Sequence, residues 1–563
     1  MAIETSESVA SFDPVTHEII QGKLLSIVDE MAIVMTKTSM SPVIYEVLDF
    51  ACGICNAHGE LIAQTNGITL FTGTFGAQIR SVIDRFGASI FPGDVIVTND
   101  PFRGGTHACD FAIVRPVFAE ARLIAFAINV AHWLDVGGAI PGSLPPDATS
   151  IFQEGLRLPC VKIAERDQLV DSIVEIIREN VRLPDMAIGD LHAQLATVRI
   201  ADQRLQEVVG RYGADALLAS FDQLLRDSEN RVRDVIRSLP DGKYIATDVI
   251  DGDGVDPLPI EVKVAVRIAG DAMEVDFTGC PAACAGPINC ARGALHSAVK
   301  TVFKALVAPY EPSNEGWFRP LSILAPQGTL FTAERPSPTG WYYEGSVHAS
   351  ELVWKALAPI LPERFSAGSY TSLCVTYIAG HDETGELFVH IEPEHGGWGA
   401  CHDSDGANAL IALTDGDTYN YSVELIEAKF PLLVERYGFN VEGGAGAGLF
   451  RGGYGLVREY RVLAERAEVY CGFGRTVTPP WSMDGGACGS VNYLEIVKAD
   501  GNVLKLGRSP ARPVGQGDRI KIVTGGGGGW GAPSDRAPAR VTADVESGLI
   551  SREDAQRIYG RRL

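Results

Sequence analysis

Apolar and polar positions along the chain follow two periods, which separate predicted helices from predicted strands. Residues 14–37 repeat apolar side chains at steps of three and four, and Asp13-Pro14 is a favourable helix start. Two or three longer helices are predicted over 182–238, broken near Leu183-Pro184 and Gly210–Gly213. Shorter helices are predicted at 76–87, at 291–307 and within 538–563. The remainder, above all 367–530, is mostly short apolar runs between glycine-rich loops, which is typical of strands.

These patterns predict a mixed α+β protein that is multi-domain, rich in β-structure and interrupted by an inserted helical segment. The predicted regions are an N-terminal α+β region at 1–175, a helical segment at 176–240, a second α+β region at 241–366 and a β-rich C-terminal region with glycine-rich loops and terminal helices at 367–563.

The stretch from Gly104 to Gly138 predicts a β-hairpin with polar residues at its open end. Phe111–Phe118 and Leu123–Val130 are rich in β-branched and aromatic residues, and 119–122 fits the turn between them. Proline at 116 predicts an edge strand or a bulge. With the turn near Glu120–Ala121, facing residues have numbers that sum to about 241, give or take one or two.

This register gathers three potential metal ligands. Asp110 falls opposite Ala131 and beside His132, and His107 lies about one strand step away. Two imidazoles and a carboxylate suit Zn, Mn, Fe or Co and leave positions for water or substrate. The alternative is that these residues are ordinary polar side chains of surface loops near strand ends.

Composition narrows the possible partners. With 46% apolar and 21% charged residues the chain is typical of a globular protein, and its net charge of −23 argues against nucleic acids and anionic membranes. No run of 18 apolar residues is present, and the first twenty residues lack the features of a secretory signal. Eleven cysteines spread along the chain fit reduced thiols, so a cytoplasmic location is expected.

Three other motifs are ambiguous. Cys52-Gly-Ile-Cys55 has no second pair for a zinc knuckle, and two small residues on a strand are the simpler interpretation. The glycine clusters at 443–448 and 525–529 match no phosphate-binding motif, so tight turns and close backbone approaches are favoured. The His, Asp and Glu residues of 390–405 either bind a divalent ion or form a solvated loop, the second being favoured.

The chain resembles the hydantoinase B family, also called the oxoprolinase B-type family, nearly from end to end. The resemblance is carried by ordered blocks that include DPVTHEII at 13–20, PGDVIVTNDPFRGGTHACD at 92–110, AHWLDVGGAIPGSLPPDATSIFQEGLRLP at 131–159, GGAGAGLFRGGYGLVREY at 443–460 and GGGGGWGAP at 525–533. It implies one subunit of a two-component, ATP-dependent enzyme whose hydantoinase A-type partner binds ATP with Mg and phosphorylates a carbonyl oxygen. By the same analogy the expected stoichiometry is α2β2.

The resemblance also implies roles for residues. It makes His107, Asp110 and His132 ligands of a divalent metal, with Zn or Mn expected first. For the mechanism we expect Asp135 to act as an orienting residue or general base, and Asp100 as a further ligand or a loop brace. Family members usually carry histidine where this chain has Trp133 and in the stretch around Phe71. If these two side chains contact the substrate, that substrate is less polar than a hydantoin.

Three functions follow from these expectations. The first is a cyclic-amide hydrolase that opens hydantoin, oxoproline or a lactam. The second is a subunit of an ATP-dependent ketone carboxylase of the acetone or acetophenone type. The third is a non-catalytic scaffold whose metal is structural.

Overall fold

A computed structural model describes residues 13–562 of the chain and shows a mixed α/β fold with four mostly antiparallel sheets. The predicted fold class is therefore confirmed, whereas the four regional boundaries stay predictions. Residues 1–12, which carry most of the segment inspected for a secretory signal, lie outside the described residues, as does Leu563. Within 13–562, no helix combines the length and the apolar character that crossing a bilayer would require.

Helices lie at both ends of the chain and between the sheets. They are α1 (Pro14–Thr38), α2 (Pro42–Tyr45), α3 (Thr69–Thr72), α4 (Phe75–Phe86), α5 (Asp171–Asn180), α6 (Pro184–Tyr212), α7 (Ala214–Arg237), α8 (Arg292–Val307), α9 (Tyr342–Leu357), α10 (Val423–Lys429), α11 (Pro538–Glu546) and α12 (Arg552–Tyr559). The predicted break points are confirmed, since Pro184 opens α6 and Gly213, with a positive φ of 85°, separates α6 from α7.

The N-terminal and second sheets are formed by consecutive parts of the chain. The first has the order β2-β1-β5-β4-β3-β6-β7, and the second has the order β11-β10-β9-β8. Their strands are β1 (Phe50–Asn56), β2 (Leu61–Gln64), β3 (Val95–Thr98), β4 (Asp110–Ala119), β5 (Arg122–His132), β6 (Val161–Glu165), β7 (Gln168–Leu169), β8 (Gly242–Ile250), β9 (Ile260–Ala269), β10 (Ala272–Asp276) and β11 (Leu321–Leu324).

The two C-terminal sheets share their stretch of chain. One has the order β13-β12-β16-β19 and the other β14-β15-β20-β17-β18, so the chain crosses between them repeatedly. Their strands are β12 (Thr376–His381), β13 (Leu387–Glu392), β14 (Leu432–Phe439), β15 (Leu456–Val462), β16 (Ala467–Gly472), β17 (Tyr493–Val497), β18 (Val503–Leu506), β19 (Arg508–Val514) and β20 (Arg519–Val523).

Helix α1 starts as its sequence predicts and helps to build the layer over the first sheet. The Asp13 carboxylate accepts hydrogen bonds from the backbone N–H groups of Val15 and Thr16, and Pro14 occupies the first turn, where its missing N–H has no cost. The buried face of α1 packs against α6, which also contacts β4 and β5. The helical segment that follows the first sheet is therefore packed against that sheet and against α1.

The hairpin β4–β5 has the predicted register. Asp110 pairs with His132 and Phe111 with Ala131, a slip of one residue from the expected pairing and within the allowed error. Strand β4 is not an edge strand, because β3 pairs with residues 112–114. Pro116 lies just beyond that pairing and beside a bulge between Val117 and Phe118, so the bulge alternative is confirmed.

The ambiguous motifs resolve into packing features. Cys52 and Cys55 are buried on β1, as the simpler interpretation held, and the eleven cysteines, all within the described residues, are free thiols. The glycine clusters form close backbone contacts: a Cβ placed on Gly446 would lie 2.4 Å from the Ala487 carbonyl oxygen, and one on Gly527 would lie 2.1 Å from that of Trp398. These glycines let neighbouring segments touch through their main chains.

Candidate metal centre

The open end of the β4–β5 hairpin brings the three predicted ligands together. Asp110 is the first residue of β4, His132 is the last of β5, and His107 lies in the loop that enters β4. The Asp110 Oδ1 atom lies 3.0 Å from His107 Nε2 and 3.2 Å from His132 Nδ1, and the two ring nitrogens are 3.2 Å apart. All three side chains are buried.

A backbone carbonyl fixes the orientation and the tautomer of His107. Its Nδ1 lies 2.8 Å from the Gly340 carbonyl oxygen, which can only accept a hydrogen bond, so Nδ1 carries the proton. In the neutral ring Nε2 then presents a lone pair to Asp110 Oδ1, which also has only lone pairs to offer. Two acceptors at 3.0 Å repel each other unless a proton or a cation lies between them.

Further side chains contact the three predicted ligands or the groups that orient them. The buried carboxylate of Glu154 accepts hydrogen bonds from the backbone N–H groups of Thr339 and Gly340, which steadies the carbonyl that binds His107. The other oxygen of Asp110 accepts a hydrogen bond from the Thr106 hydroxyl. The Tyr342 ring meets the His107 ring edge-on, with centroids 5.0 Å apart.

The pKa shifts of Asp110 and His107 show that this carboxylate and this imidazole stabilise each other's charged forms. Burial acts to raise the pKa of Asp110, but the two imidazoles outweigh it and hold that pKa well below its ordinary value. Burial acts to lower the pKa of His107, and the Asp110 carboxylate outweighs it, so this pKa is raised. The Nε2 atom of His132 is buried without a hydrogen-bond partner among the described residues.

The donor set fits a divalent cation. Around a tetrahedral metal with bonds near 2.1 Å, neighbouring ligand atoms lie about 3.4 Å apart, close to the spacing of 3.0 to 3.2 Å seen here. Among the described residues, one group of acidic, imidazole or thiol side chains lies close enough together to share an ion, and it consists of His107, Asp110 and His132. Imidazole nitrogen with carboxylate oxygen suits Zn and Mn alike.

A small cavity of about 40 Å³ adjoins the three residues and is lined mainly by apolar side chains. It also contains two carboxylates that the sequence analysis missed, Asp49 and Asp415, whose pKa values burial raises to about 7. Asp49 directly precedes β1, the strand beside β5, so the hairpin's neighbour could have suggested it. Asp415 comes from a distant loop, and no local pattern in the sequence announces its position.

Asp135 and Asp100 lie in other contacts. The Asp135 carboxylate accepts hydrogen bonds from the backbone N–H groups of Gly137, Gly142 and Arg182 and pairs with the Arg182 guanidinium at 2.9 Å. Asp100 caps the short 3₁₀ turn Pro101–Arg103 and pairs with Arg335. Neither carboxylate lines the cavity, so both brace loops, as the sequence analysis allowed for Asp100.

The two residues that were expected to contact the substrate lie in different surroundings. Phe71 lines the cavity. Trp133 does not; it is fully buried, stacks on Phe111 with centroids 3.8 Å apart, and donates from Nε1 to the Gln194 side chain. Strand geometry explains why Trp133 lies away from the cavity. Successive side chains of a strand point to opposite faces, and His132 already points to the cavity.

The second polar cluster, 390–405, divides into two parts. His390, Glu392 and Glu394 are buried, and Arg458 pairs with both carboxylates, so the solvated-loop interpretation is wrong for this part. His402 and Asp403 are exposed, as that interpretation predicted. Asp405 binds the buried Arg536 guanidinium through two contacts of 2.7 and 2.8 Å. The ion pairs of this cluster join β13 to β15, and the loop that holds Asp405 to Arg536, which lies just before α11.

Comparison with known proteins identifies the family. The family model described as hydantoinase B/oxoprolinase matches residues 13–533. The chain belongs to the hydantoinase B/oxoprolinase family. The B-type subunit of a putative D-/L-hydantoinase from Pseudomonas sp. (strain NS671) is 31% identical over 566 residues, covering 97% of this chain and 95% of the relative.

Solved structures agree with this assignment. The ATP-dependent caprolactamase from Pseudomonas jessenii superposes with a TM-score of 0.92 at 29% identity, covering 98% of this chain and 97% of that chain. Nucleotide-free acetone carboxylase gives a TM-score of 0.91 at 20% identity, covering 97% of this chain and 79% of that chain. The second likeness shows a shared fold. The hydantoinase B/oxoprolinase chain described here thus has the architecture of both.

Proposed function

We propose that this chain is the metal-binding subunit of a two-component, ATP-dependent hydrolase that opens a cyclic amide of the hydantoin, oxoproline or lactam type. The observation that carries the proposal is the convergence of His107 Nε2, His132 Nδ1 and Asp110 Oδ1, with the His107 tautomer fixed by Gly340. The relative described as part of a hydantoinase and the structural likeness to a caprolactamase support the substrate class.

The reaction proposed is hydrolysis of an amide whose carbonyl oxygen has been phosphorylated by a partner of hydantoinase A type, which binds ATP with Mg. A divalent ion, Zn or Mn, held by His107, Asp110 and His132 would supply Lewis acidity and lower the pKa of water at the site. The hydantoinase relative is itself one of several subunits, which supports a heteromeric assembly, and we propose an α2β2 stoichiometry for it.

The chain's own residues then orient and desolvate the reacting groups. Asp415 replaces Asp135 as the proposed general base, because it lines the cavity and its pKa of about 7 suits proton transfer near neutral pH. Thr414 donates to one oxygen of this carboxylate at 2.9 Å and so fixes its orientation. Asp135 keeps a positioning role, holding the loop that follows His132 through Arg182.

The cavity lining favours an apolar ring. Phe71 lines the cavity together with aliphatic side chains from four separate segments of the chain, which are Val43, Leu144, Leu373, Val375 and Ile391. Burying ring methylenes against such side chains is favourable by about 0.8 kcal/mol for each CH₂ group. A lactam therefore fits this lining better than a hydantoin, whose additional amide would lose its hydrogen bonds with water.

Ketone carboxylation is the second candidate, favoured by the same lining, which equally suits an apolar ketone. Assays of the purified complex with ATP and either a lactam or a ketone plus bicarbonate distinguish the two. The hydrolase proposal predicts ring opening and loss of at least 10²-fold in rate in His107→Ala. A complex that consumes only the ketone would contradict it, and activity retained by a metal-free His107→Ala variant would point to a scaffold with a structural ion.

A further inference from the structure

A basic cleft of about 750 Å³ lies outside the proposed metal centre, and the proposed reaction does not use it. Its walls are the loop 101–104, the segment 332–335 and one face each of α4 and α8. Five cationic side chains line it, against the two carboxylates Asp84 and Glu334; they are Arg80, Arg103, Arg292, Lys300 and Arg335. Such a concentration of positive charge stands out in a chain of net charge −23.

Helix periodicity explains how the cations converge. On α8, Arg292, His296 and Lys300 follow one another at steps of four, which places them on one face of the helix. Arg80 projects from α4, whose residues Ala77, Ser81 and Asp84 form the opposite wall. Burial and then the charges of Lys300, Arg292 and Arg80 lower the pKa of His296 to about 4, so all three cations act on the same point.

Two of the guanidinium groups retain most of their binding capacity. Arg80 donates to the Gly59 carbonyl at 3.3 Å and Arg292 to the Ala325 carbonyl at 3.3 Å, and neither has a carboxylate partner within the part of the chain described. The others are partly neutralised, since Lys300 pairs with Glu315 and both Arg103 and Arg335 pair with Asp100. Arg80 and Arg292 therefore remain free to receive an anion.

We propose that this cleft binds the phosphate group of a small phosphorylated molecule, with Arg80 and Arg292 as its principal ligands. A guanidinium binds a phosphate through two parallel hydrogen bonds, and a dianion balances the excess of cations better than a single carboxylate does. The volume is typical of cavities that hold small ligands and exceeds what a free phosphate needs. A nucleotide and a phosphorylated metabolite share this chemistry.

The cleft lies next to the proposed metal centre along the chain. Three cleft residues are close in sequence to residues of the metal centre. Arg103 lies in the loop that leads to His107, Arg335 lies in the segment that leads to Gly340, and Gly73 follows Phe71. The same three segments thus supply residues to both cavities. Binding of phosphate in the cleft does not, however, require the metal ligands, so the two proposals fail independently.

Calorimetric titration of the full chain with inorganic phosphate and, separately, with ADP tests this inference. We expect saturable binding that weakens at least tenfold in Arg80→Ala and in Arg292→Ala. Arg85→Ala is the matched control, because Arg85 lies on α4 outside the cleft and should leave binding unchanged. His107→Ala should also bind normally, which separates the cleft from the metal centre. Thermal unfolding of each variant establishes that it is folded.

The outcomes distinguish the sources. Binding of both probes supports a simple phosphate site, and binding of ADP alone, with the same loss in the two arginine variants, identifies a nucleotide as the occupant. If neither phosphate nor ADP binds at millimolar concentration, the proposal is overturned. Equal affinities in the wild type and both arginine variants would overturn it as well. Binding of an acidic peptide in place of both probes would assign the cleft to a protein partner instead.

Discussion

At the scale of single residues, the proposed centre depends on groups that do not contact the ion. Glu154 is buried and binds the N–H groups of Thr339 and Gly340, and the Gly340 carbonyl in turn binds His107. Residues that orient metal ligands in this way commonly change metal affinity by 10–100-fold when they are replaced. The tautomer of His107 is thus set by the Gly340 carbonyl, which Glu154 holds in place.

Replacement of Glu154 by Ala should weaken binding of Zn or Mn about tenfold, because the loop 339–340 loses both of its hydrogen bonds to this carboxylate. Glu154→Gln keeps an acceptor oxygen and should restore most of the affinity. Competition with a chelator of known affinity measures both. Equal affinity of Glu154→Ala and the wild type would show that the carbonyl needs no such support.

A second residue-scale prediction concerns Glu344 on α9, a carboxylate outside the metal centre. Burial raises its pKa to about 7. The folded state therefore binds this proton more tightly than the unfolded state, and the stability it contributes is present below about pH 4.5 and is lost as pH rises through 7.

Glu344→Gln should remove this dependence, since the amide stays neutral. Between pH 5 and 8 the free energy of unfolding of the wild type should fall relative to that of the variant by up to about 3 kcal/mol. Denaturant titrations at both pH values measure the difference, with the exposed Glu363→Gln as control. A constant difference between variant and wild type would contradict the prediction.

At the scale of elements, strands and helices with clear periods were predictable, and contacts between distant loops were not. The register of β4–β5 follows from one short turn, so His107, Asp110 and His132 could be placed from local sequence. Asp415 reaches the same cavity from a loop nearly three hundred positions away, which no local rule describes. Trp133 lies away from the cavity and stacks on Phe111, because its neighbour His132 already occupies the cavity face.

The glycine-rich loops provide the element-scale prediction. Gly453 donates from its N–H to the Trp398 carbonyl, and a Cβ at 453 would lie 1.8 Å from the Ala407 carbonyl oxygen. Gly453→Ala should therefore destabilise the protein by about 3 kcal/mol, measured by denaturant unfolding. Gly438→Ala, whose Cβ meets no atom within 4 Å, should change the stability by less than about 0.5 kcal/mol. Similar effects of the two substitutions would contradict the prediction, because they would show that the loops around Gly453 can shift to accept a Cβ atom.

At the scale of the whole molecule, one connected core of buried apolar residues runs from Ile20 to Ile522 and joins all four sheets. The composition could predict a large globular protein, but not that residues from the first sheet, α9 and the loop before α10 would meet around one cavity. The geometry brings together the same three side chains that the sequence analysis expected as metal ligands. The proposed function therefore depends on whether those side chains hold an ion.

Metal analysis of the purified chain tests this claim most directly. After incubation with Zn or Mn and removal of excess ion, elemental analysis should find about one equivalent per chain in the wild type and less than about a tenth of that in His107→Ala and Asp110→Ala. Asp135→Asn, which alters a carboxylate outside the cavity, should retain the ion. A wild type without bound metal, or a His107→Ala variant with a full equivalent, would contradict the account.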